Sequence, residues 1–429
     1  MILIHTADWH IGQNFYGYDR YEEHRHFLDW LENTLVEKRA DVLLVTGDVF
    51  DGPNPPARAQ QLYYAFLRRI ADRLPGLQVV VTAGNHDSAA RLEAPNPLLE
   101  ALHVTVVGSV HYGETDGMTD NADTAGTSDT PGIIDTAAAL AGAARRLLIP
   151  LRDASGEVAA CCVAVPYLRQ GDYPPAPTYD EGVRQLYAAL AEAARREFRG
   201  KPLVMTGHLH VLGAAVSERD RSERVVIGGL DCVSDAIFPS DTAYGALGHL
   251  HRAQRVAGRD NVRYAGAPVP MSFAEKRNAQ SVCCVDITAA GAAVSLLPYT
   301  PKVALLSVPE SPLPIEEVLA CLADLPQGEV TEDSPYLEIK VRMAGPEPSL
   351  KYKITQALRG KSVRLTAILP FYPEREAVGT AGGGATAVRE LSQMPPLDIA
   401  LDVYHKKYGT DMPASLQKML SDVIKEVEA

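Results

Sequence analysis

The chain has 429 residues, 46% hydrophobic and 22% charged, which allows two or three domains and excludes a fully disordered protein. Its 54 acidic residues outnumber the 41 basic ones for a net charge of −13, which argues against a generic nucleic-acid coat, because phosphate backbones call for cations. No apolar run approaches the ~20 residues of a bilayer span, and Asp8 and His10 interrupt the N-terminal apolar stretch at once, so a cytoplasmic protein with no membrane contact is expected.

Over the first ~300 residues short apolar runs alternate with helical patterns. Ile2 to His5, Asp41 to Thr46 and Leu77 to Thr82 read as buried strands. Between them, Tyr21 to Lys38 and Ala57 to Arg73 carry apolar residues at helical spacing, as in Leu28, Leu31 and Leu35. This order predicts an α/β domain. Residues 113–135 bring Glu114, Asp116, Asp120, Asp123, Asp129 and Asp135 with no Lys or Arg, and read as an acidic surface insertion. Without those six acids the remainder carries only about −7, and a net charge says little about a local groove. Further strands are expected at Val158 to Val165, Leu203 to Thr206, Val225 to Ile227, Ala243 to Leu247 and Val282 to Ile287, with a helix from about Asp180 to Phe198. The paired cysteines Cys161–Cys162 and Cys283–Cys284 fall in apolar strands, which suits reduced core fillers rather than a disulfide framework.

After Thr300 the pattern restarts. Val303 to Val308, Tyr336 to Val341 and Ser362 to Leu369 read as strands, Ile315 to Leu325 and Ser349 to Leu358 as helices. The domain plan is therefore 1–299 for the main α/β domain, 300–370 for a small α/β module, 371–395 for a Gly-rich linker and 396–429 for terminal helices. In the last of these, Leu416, Met419, Leu420, Val423, Ile424 and Val427 form an apolar stripe at i, i+3, i+4 spacing. The flexible tether before it favours a docking helix for a partner over packing on the chain's own domains.

The chemistry is concentrated at strand ends. Four apolar strands end in a glycine followed at once by a metal-type ligand: Gly47-Asp48, Gly84-Asn85, Gly207-His208 and Gly248-His249. The first strand runs into Asp8-Trp9-His10, and His251 follows His249. Functional groups in open α/β folds gather outside the carboxyl ends of strands. Asp8, His10, Asp48, Asn85, His208, His249 and His251 make two carboxylates, one amide and four imidazoles, a set that suits two divalent ions with Asp48 bridging. The mixed oxygen and nitrogen donors favour Mn²⁺, Fe²⁺ or Zn²⁺ over Mg²⁺. Ion pairs about 3.5–4 Å apart activate water for phosphoester cleavage. His86, beside Asn85, is assigned to the scissile phosphate, with Asp87 fixing its tautomer and Asp51 orienting His10 or a water. His5, His24, His26, His103, His111 and His405 read as ordinary core or surface residues, and His210, beside His208, is left open.

In that order, Asp-x-His, Gly-Asp-x-x-Asp, Gly-Asn-His-Asp, Gly-His and Gly-His-x-His resemble the calcineurin-like metallophosphoesterases. The longer strings HTADWHIGQNFYGYDR, TGDVFDGPNPP, AGNHDSAARL, ALGHLHRAQ and VRYAGAPVPMSF resemble the SbcD family of nuclease subunits. The resemblance implies a two-sheet sandwich flanked by helices, a small α/β cap domain and C-terminal helices. It implies a manganese-dependent DNA nuclease of repair, with 3′-to-5′ exonuclease activity on duplexes and endonuclease activity on single strands and hairpins. Carried over, one metal takes Asp8, His10, Asp48 and His251, the other Asp48, Asn85, His208 and His249, with His86 on the phosphate. The implied partner is an SbcC-like coiled-coil ATPase bound by the C-terminal helices, in a heterotetramer built on a homodimer. The chain has no phosphate-binding loop of its own, so any ATP dependence would come from such a partner. Gln13, Asn14 and Tyr16 after the first motif, and Arg252, Arg255, Arg259 and Arg263 after the last, are candidates for DNA contact. The same metal set would also serve a phosphoesterase of small phosphodiesters or phosphomonoesters. A non-enzymatic scaffold would have no need of His86 and of both histidines in Gly-His-x-His.

Overall fold

The computed structural model describes residues 1–110, 146–214, 232–345 and 347–372, with isolated positions at 142–144 and 401–419. The expected strand Val225 to Ile227, the acidic insertion 113–135, most of the linker 371–395 and most of the terminal helices lie outside the described residues. The chain divides into two compact units, Met1–Tyr372 and Pro373–Ala429.

The first unit is built on two six-stranded sheets. In one, the order is Gly291–Pro298, Ser281–Thr288, Ile2–Thr6, Val42–Thr46, Gln78–Thr82, Val104–Val107. The last four are parallel, and Ser281–Thr288 joins Ile2–Thr6 antiparallel. Alternation along these strands separates two cores. Leu3, Val42, Leu44 and Val80 face the second sheet. Ile4, Leu43, Val45, Val79 and Val81 face the helices Tyr21–Lys38 and Ala57–Arg73, which bury Leu28, Leu31, Leu35, Leu62, Phe66 and Ile70 against them. The second sheet runs Gln254–Val256, Arg259–Tyr264, Thr242–Gly248, Leu203–His208, Val158–Val163, Leu148–Arg152. Its outer face is covered by the helix Tyr179–Glu197, capped by Thr178, whose hydroxyl accepts the Glu181 N–H at 3.2 Å. This is the expected sandwich with outer helices.

A third, all-parallel sheet of Leu305–Ser307, Tyr336–Arg342 and Arg364–Phe371 carries its own core with the helices Ile315–Ala323 and Leu350–Ala357. A small aromatic cluster joins it to the main sheets: Phe15, Phe273 and Val303 pack with Tyr336. At its centre is a buried ion pair, Arg20 bidentate to Glu23, with Tyr336 Oη donating to Glu23 at 2.8 Å.

The cysteines are all free, and Cys161, Cys162 and Cys283 are buried. No helix among the described residues is long and apolar enough to cross a membrane.

Candidate metal centre

The strand ends of the two sheets meet at one pocket, and close approach explains the glycines at three of them. The carbonyl of Gly47 accepts the Asp8 N–H at 3.1 Å, and Asp48 and Val49 accept from His10 and Ile11 at 3.0 and 2.9 Å, so the loops after the first and second parallel strands zip together. Trp9, buried between them, packs edge-on against Phe27 and Phe66 and turns Asp8 and His10 the other way. A Cβ on Gly84 would stand 2.1 Å from Asp48 Oδ1, one on Gly47 2.0 Å from His208 Nδ1, and one on Gly248 1.9 Å from the Thr46 carbonyl. Glycine at these three positions is what lets the strand ends approach this closely.

The result is a cluster of buried donors. Asp8, His10 and His251 offer ligand atoms within 4.8 Å of one another; so do Asp8, Asp48 and His208, and so do His10, Asp48 and His86. Asn85 Oδ1 lies 2.9 Å from His208 Nε2 and 3.2 Å from His249 Nδ1. His208 Nε2 is also 3.3 Å from Asp48 Oδ2, and the His249 N–H donates to Asp8 Oδ1 at 2.9 Å. The structure therefore brings all seven nominated ligands to one place. The site also fits cations on its own terms. Asp8 Oδ2 and both ring nitrogens of His10 are buried with no hydrogen-bond partner among the described residues. Buried polar atoms in that state carry a desolvation penalty that a divalent ion would remove.

Charge is already poised for this. Burial works against a carboxylate at Asp48, but the His208 charge and hydrogen bond outweigh it and hold Asp48 well below the usual range. His208 mirrors it: burial disfavours its cation, yet Asp48, Asp8 and the Thr46 carbonyl push it up to about 9. His249, buried beside His208, is pushed down to about 3. Burial also raises Asp8.

Several supporting roles differ from expectation. Asp87 does not touch the His86 ring. Its buried carboxylate accepts the N–H groups of Val49, Phe50 and Gly84 at 3.1, 3.0 and 2.9 Å, tying the second and third loops together. Burial and the Asp48 charge push it up to about 6. His86 instead donates Nδ1–H to the Asp51 carbonyl at 3.0 Å, while its own N–H donates to Asp48 Oδ1 at 2.8 Å. The Asp51 carboxylate stands 3.4 Å from His10 Nδ1 without a hydrogen bond to it. Glu275 was not visible in the sequence. It is buried, accepts His251 Nδ1–H at 3.2 Å and the Met271 N–H at 2.9 Å, and lies at no motif spacing from His251. His210 is half-buried, 3.2 Å from Cys232 Sγ.

The candidate DNA contacts fare unevenly. Gln13 accepts from buried Arg20 at 2.8 Å, and Asn14 Oδ1 accepts the Gly17 N–H at 2.7 Å inside a two-residue hairpin. Tyr16, at the tip of that hairpin, is 56% exposed. Arg255 pairs with Asp260 at 2.7 Å, and Arg259 donates to the carbonyls of Phe238 and Pro239 at 2.7 and 3.3 Å. The Arg263 charge is felt at His5 and Cys283 in the buried layer. Arg252 is exposed with no ion pair among the described residues. Of the apolar stripe, Leu416 and Met419 are exposed; Leu420, Val423, Ile424 and Val427 lie outside the described residues.

Comparison with known proteins agrees with this geometry. Residues 1–138 match the calcineurin-like phosphoesterase family, and residues 301–408 match the family described as Type 5 capsule protein repressor C-terminal domain. The chain is 37% identical to the SbcD subunit of the SbcCD nuclease from Rhodobacter capsulatus over 411 residues, covering 92% of each chain. It is 35% identical to the Escherichia coli K12 protein of that name, over 64% of this chain and 62% of that one. Against the Bacillus subtilis protein of that name it is 32% identical, over 67% and 66% respectively.

Proposed function

The chain belongs to the SbcD family of calcineurin-like phosphoesterases, and from that premise we propose that it is a two-metal DNA nuclease acting in DNA repair. The observation that carries the reading is the convergence of Asp8, His10, Asp48, Asn85, His208, His249 and His251, with buried atoms of Asp8 and His10 left for a cation. One ion is held by Asp8, His10, Asp48 and His251, the other by Asp48, Asn85, His208 and His249. Manganese fits the mixed imidazole and carboxylate set, with Fe²⁺ or Zn²⁺ as alternatives. When bound, such a pair supplies Lewis-acid polarisation of the phosphate and an activated water.

The chain's own residues do the rest. His208 donates Nδ1–H to the Thr46 carbonyl at 3.0 Å, which presents Nε2 to the site; Glu275 does the same for His251. His86, with Nδ1–H given to the Asp51 carbonyl, has Nε2 to contact the scissile phosphate and, when protonated there as the imidazolium, to hand that proton to the leaving oxygen. Asp87 holds the His86 loop against the Asp48 loop. The substrates are duplex DNA, cut 3′-to-5′ from ends, and single strands and hairpins, cut internally. The partner is an SbcC-like coiled-coil ATPase docked by residues 396–429, two copies of each forming a cytoplasmic heterotetramer. Residues 300–370 serve as a cap beside the catalytic domain 1–299.

The test is Mn²⁺-dependent cleavage of labelled duplex, single-stranded and hairpin DNA by wild type, Asp48→Ala and His86→Gln. Asp48→Ala should abolish cleavage, and His86→Gln should cut at least about 100-fold more slowly, the lower end for a general acid. DNA cleavage by Asp48→Ala at the wild-type rate would refute the mechanism. Turnover of a small phosphodiester with no DNA cleavage would move the chain to the small-substrate class.

A further inference from the structure

The site gathers the carboxylates of Asp8, Asp48 and Asp51 on a chain of net charge −13, so a polyanion needs cationic contacts around it. Of the arginines after the last motif, Arg255, Arg259 and Arg263 are engaged elsewhere, and Arg252 is exposed with no hydrogen bond or ion pair to the metal-site loops among the described residues. Arg169 differs in both place and company. It lies on the loop that follows the strand Val158–Val163, and that loop is fixed at several points. The Val165 carbonyl accepts Thr206 Oγ1–H at 2.9 Å, and the Tyr167 N–H donates to the Ala83 carbonyl at 2.8 Å. The Arg169 N–H donates to Asp172 Oδ2 at 2.7 Å, and the Asp172 N–H returns to the Arg169 carbonyl at 3.0 Å, closing a turn. Leu168, buried, anchors the loop in the core.

From this turn the Arg169 side chain reaches back to the metal-site loops. One guanidinium nitrogen donates to the Asp87 carbonyl at 3.4 Å, one residue beyond His86. The guanidinium carbon stands 5.3 Å from the centre of the Tyr167 ring, and that ring stands edge-on to His208 at 6.3 Å. Arg169 is exposed, and its guanidinium has no ion pair with a carboxylate among the described residues. A guanidinium carries five donors in a rigid fork, and the Asp87 carbonyl takes only one of them.

We propose that Arg169 is a phosphate-contact residue of this site, its guanidinium gripping a backbone phosphate of the strand that lies across His86, with Tyr167 as the platform that holds it. The assignment rests on the reading of the substrate as DNA. Its chemistry is sequence-independent: a charge-assisted, fork-shaped contact to non-bridging oxygens, which positions a strand without reading bases.

The experiment compares full-length wild type, Arg169→Ala and Arg169→Lys. DNA affinity is measured against NaCl concentration, alongside steady-state cleavage with Mn²⁺ and Mn²⁺ affinity by calorimetry. Loss of one phosphate contact should make the slope of log affinity against log salt shallower by about 0.9 on duplex and about 0.7 on single strands. Arg169→Ala should show that change, with KM raised more than kcat is lowered and Mn²⁺ affinity unchanged. Arg169→Lys should keep the wild-type slope while binding more weakly, because the charge stays and the fork is lost. A wild-type slope in Arg169→Ala overturns the assignment, and so does a parallel loss of Mn²⁺ affinity, which would make Arg169 a brace for the Asp87 loop. A wild-type chain with no salt-dependent DNA binding fails the DNA reading itself and takes this assignment with it.

Discussion

Metal affinity should depend on pH through His208, and the structure sets both the sign and the window. Both His208 nitrogens face acceptors: Nδ1 the Thr46 carbonyl at 3.0 Å, Nε2 the Asn85 amide oxygen at 2.9 Å and Asp48 Oδ2 at 3.3 Å. That environment pushes its pKa up to about 9, so without metal the ring is an imidazolium throughout the neutral range. A ligand must be neutral, so each pH unit below 9 requires displacing one proton and weakens binding about tenfold, about 1.4 kcal/mol. From pH 8 to pH 6.5 the loss should be about 30-fold for the ion that His208 holds. His249, pushed down to about 3, is already neutral there and adds no slope; Asp48, held low, is already a carboxylate. Four ordinary imidazoles would instead titrate together near pH 6, which is what the sequence leads one to expect. Calorimetric titration of Mn²⁺ at pH 6.5 to 8.5, in two buffers of different ionisation enthalpy, separates the two. About one proton released and one decade of affinity per pH unit is expected. An affinity flat between pH 7 and 8.5 would refute the argument.

Glu275→Gln removes the charge that orients His251, and Mn²⁺ affinity should fall by about 10- to 100-fold, the range for such supporting residues; calorimetry at the wild-type value would exclude a positioning role. Gly248→Ala forces a Cβ to 1.9 Å from the Thr46 carbonyl and 2.9 Å from His208 Nδ1. It should lower stability by at least about 1–3 kcal/mol in denaturant titration and abolish Mn²⁺ binding, and intact binding would show that the strand ends can separate without loss. Tyr336→Phe deletes the 2.8 Å donor to buried Glu23 and should lower stability by about 1–3 kcal/mol; an unchanged denaturation midpoint would mean that Arg20 alone satisfies that carboxylate.

Where local pattern and final environment agree, the sequence was legible. The helices Tyr21–Lys38 and Ala57–Arg73 have the boundaries their periodicity predicts, because each lays a continuous apolar stripe on the first sheet. The parallel strands Ile2–Thr6, Val42–Thr46 and Gln78–Thr82 were found to within two residues because burial makes them plain apolar runs. Missed strands include Val104–Val107, a four-residue run at a sheet edge, and Arg259–Tyr264, polar over its first half; Leu148–Arg152 carries Pro150 at a sheet edge, Gly291–Pro298 is a half-exposed edge, and Asn14–Phe15 has two residues. The seven candidate ligands could be picked out because they stand at or just after strand ends, in four cases directly after a glycine. Glu275 was not, nor was the pairing of Glu23 with Tyr336 across 313 positions, because partners that meet only in three dimensions leave no spacing to read.

The backbone at the metal centre shows why those motif residues are of the types they are. Asp8, His10, Asp48 and His249 have φ of 54°, 47°, 48° and 99°, in the region that side chains of L-residues usually avoid. Each such residue costs about 1–3 kcal/mol, which the surrounding structure must over-determine. Here it does: the Asp8 and His10 amides are pinned to Gly47 and Asp48, the His249 amide to Asp8, and Asp87 clamps three more N–H groups of the same loops. Asp, Asn and His tolerate this conformation better than other residues with a Cβ, and they are also the residues that ligate divalent ions. Backbone strain and metal chemistry thus restrict the same positions to the same short set of side chains. A β-branched replacement at Asp48 would therefore fail twice over, once as a ligand and once as backbone.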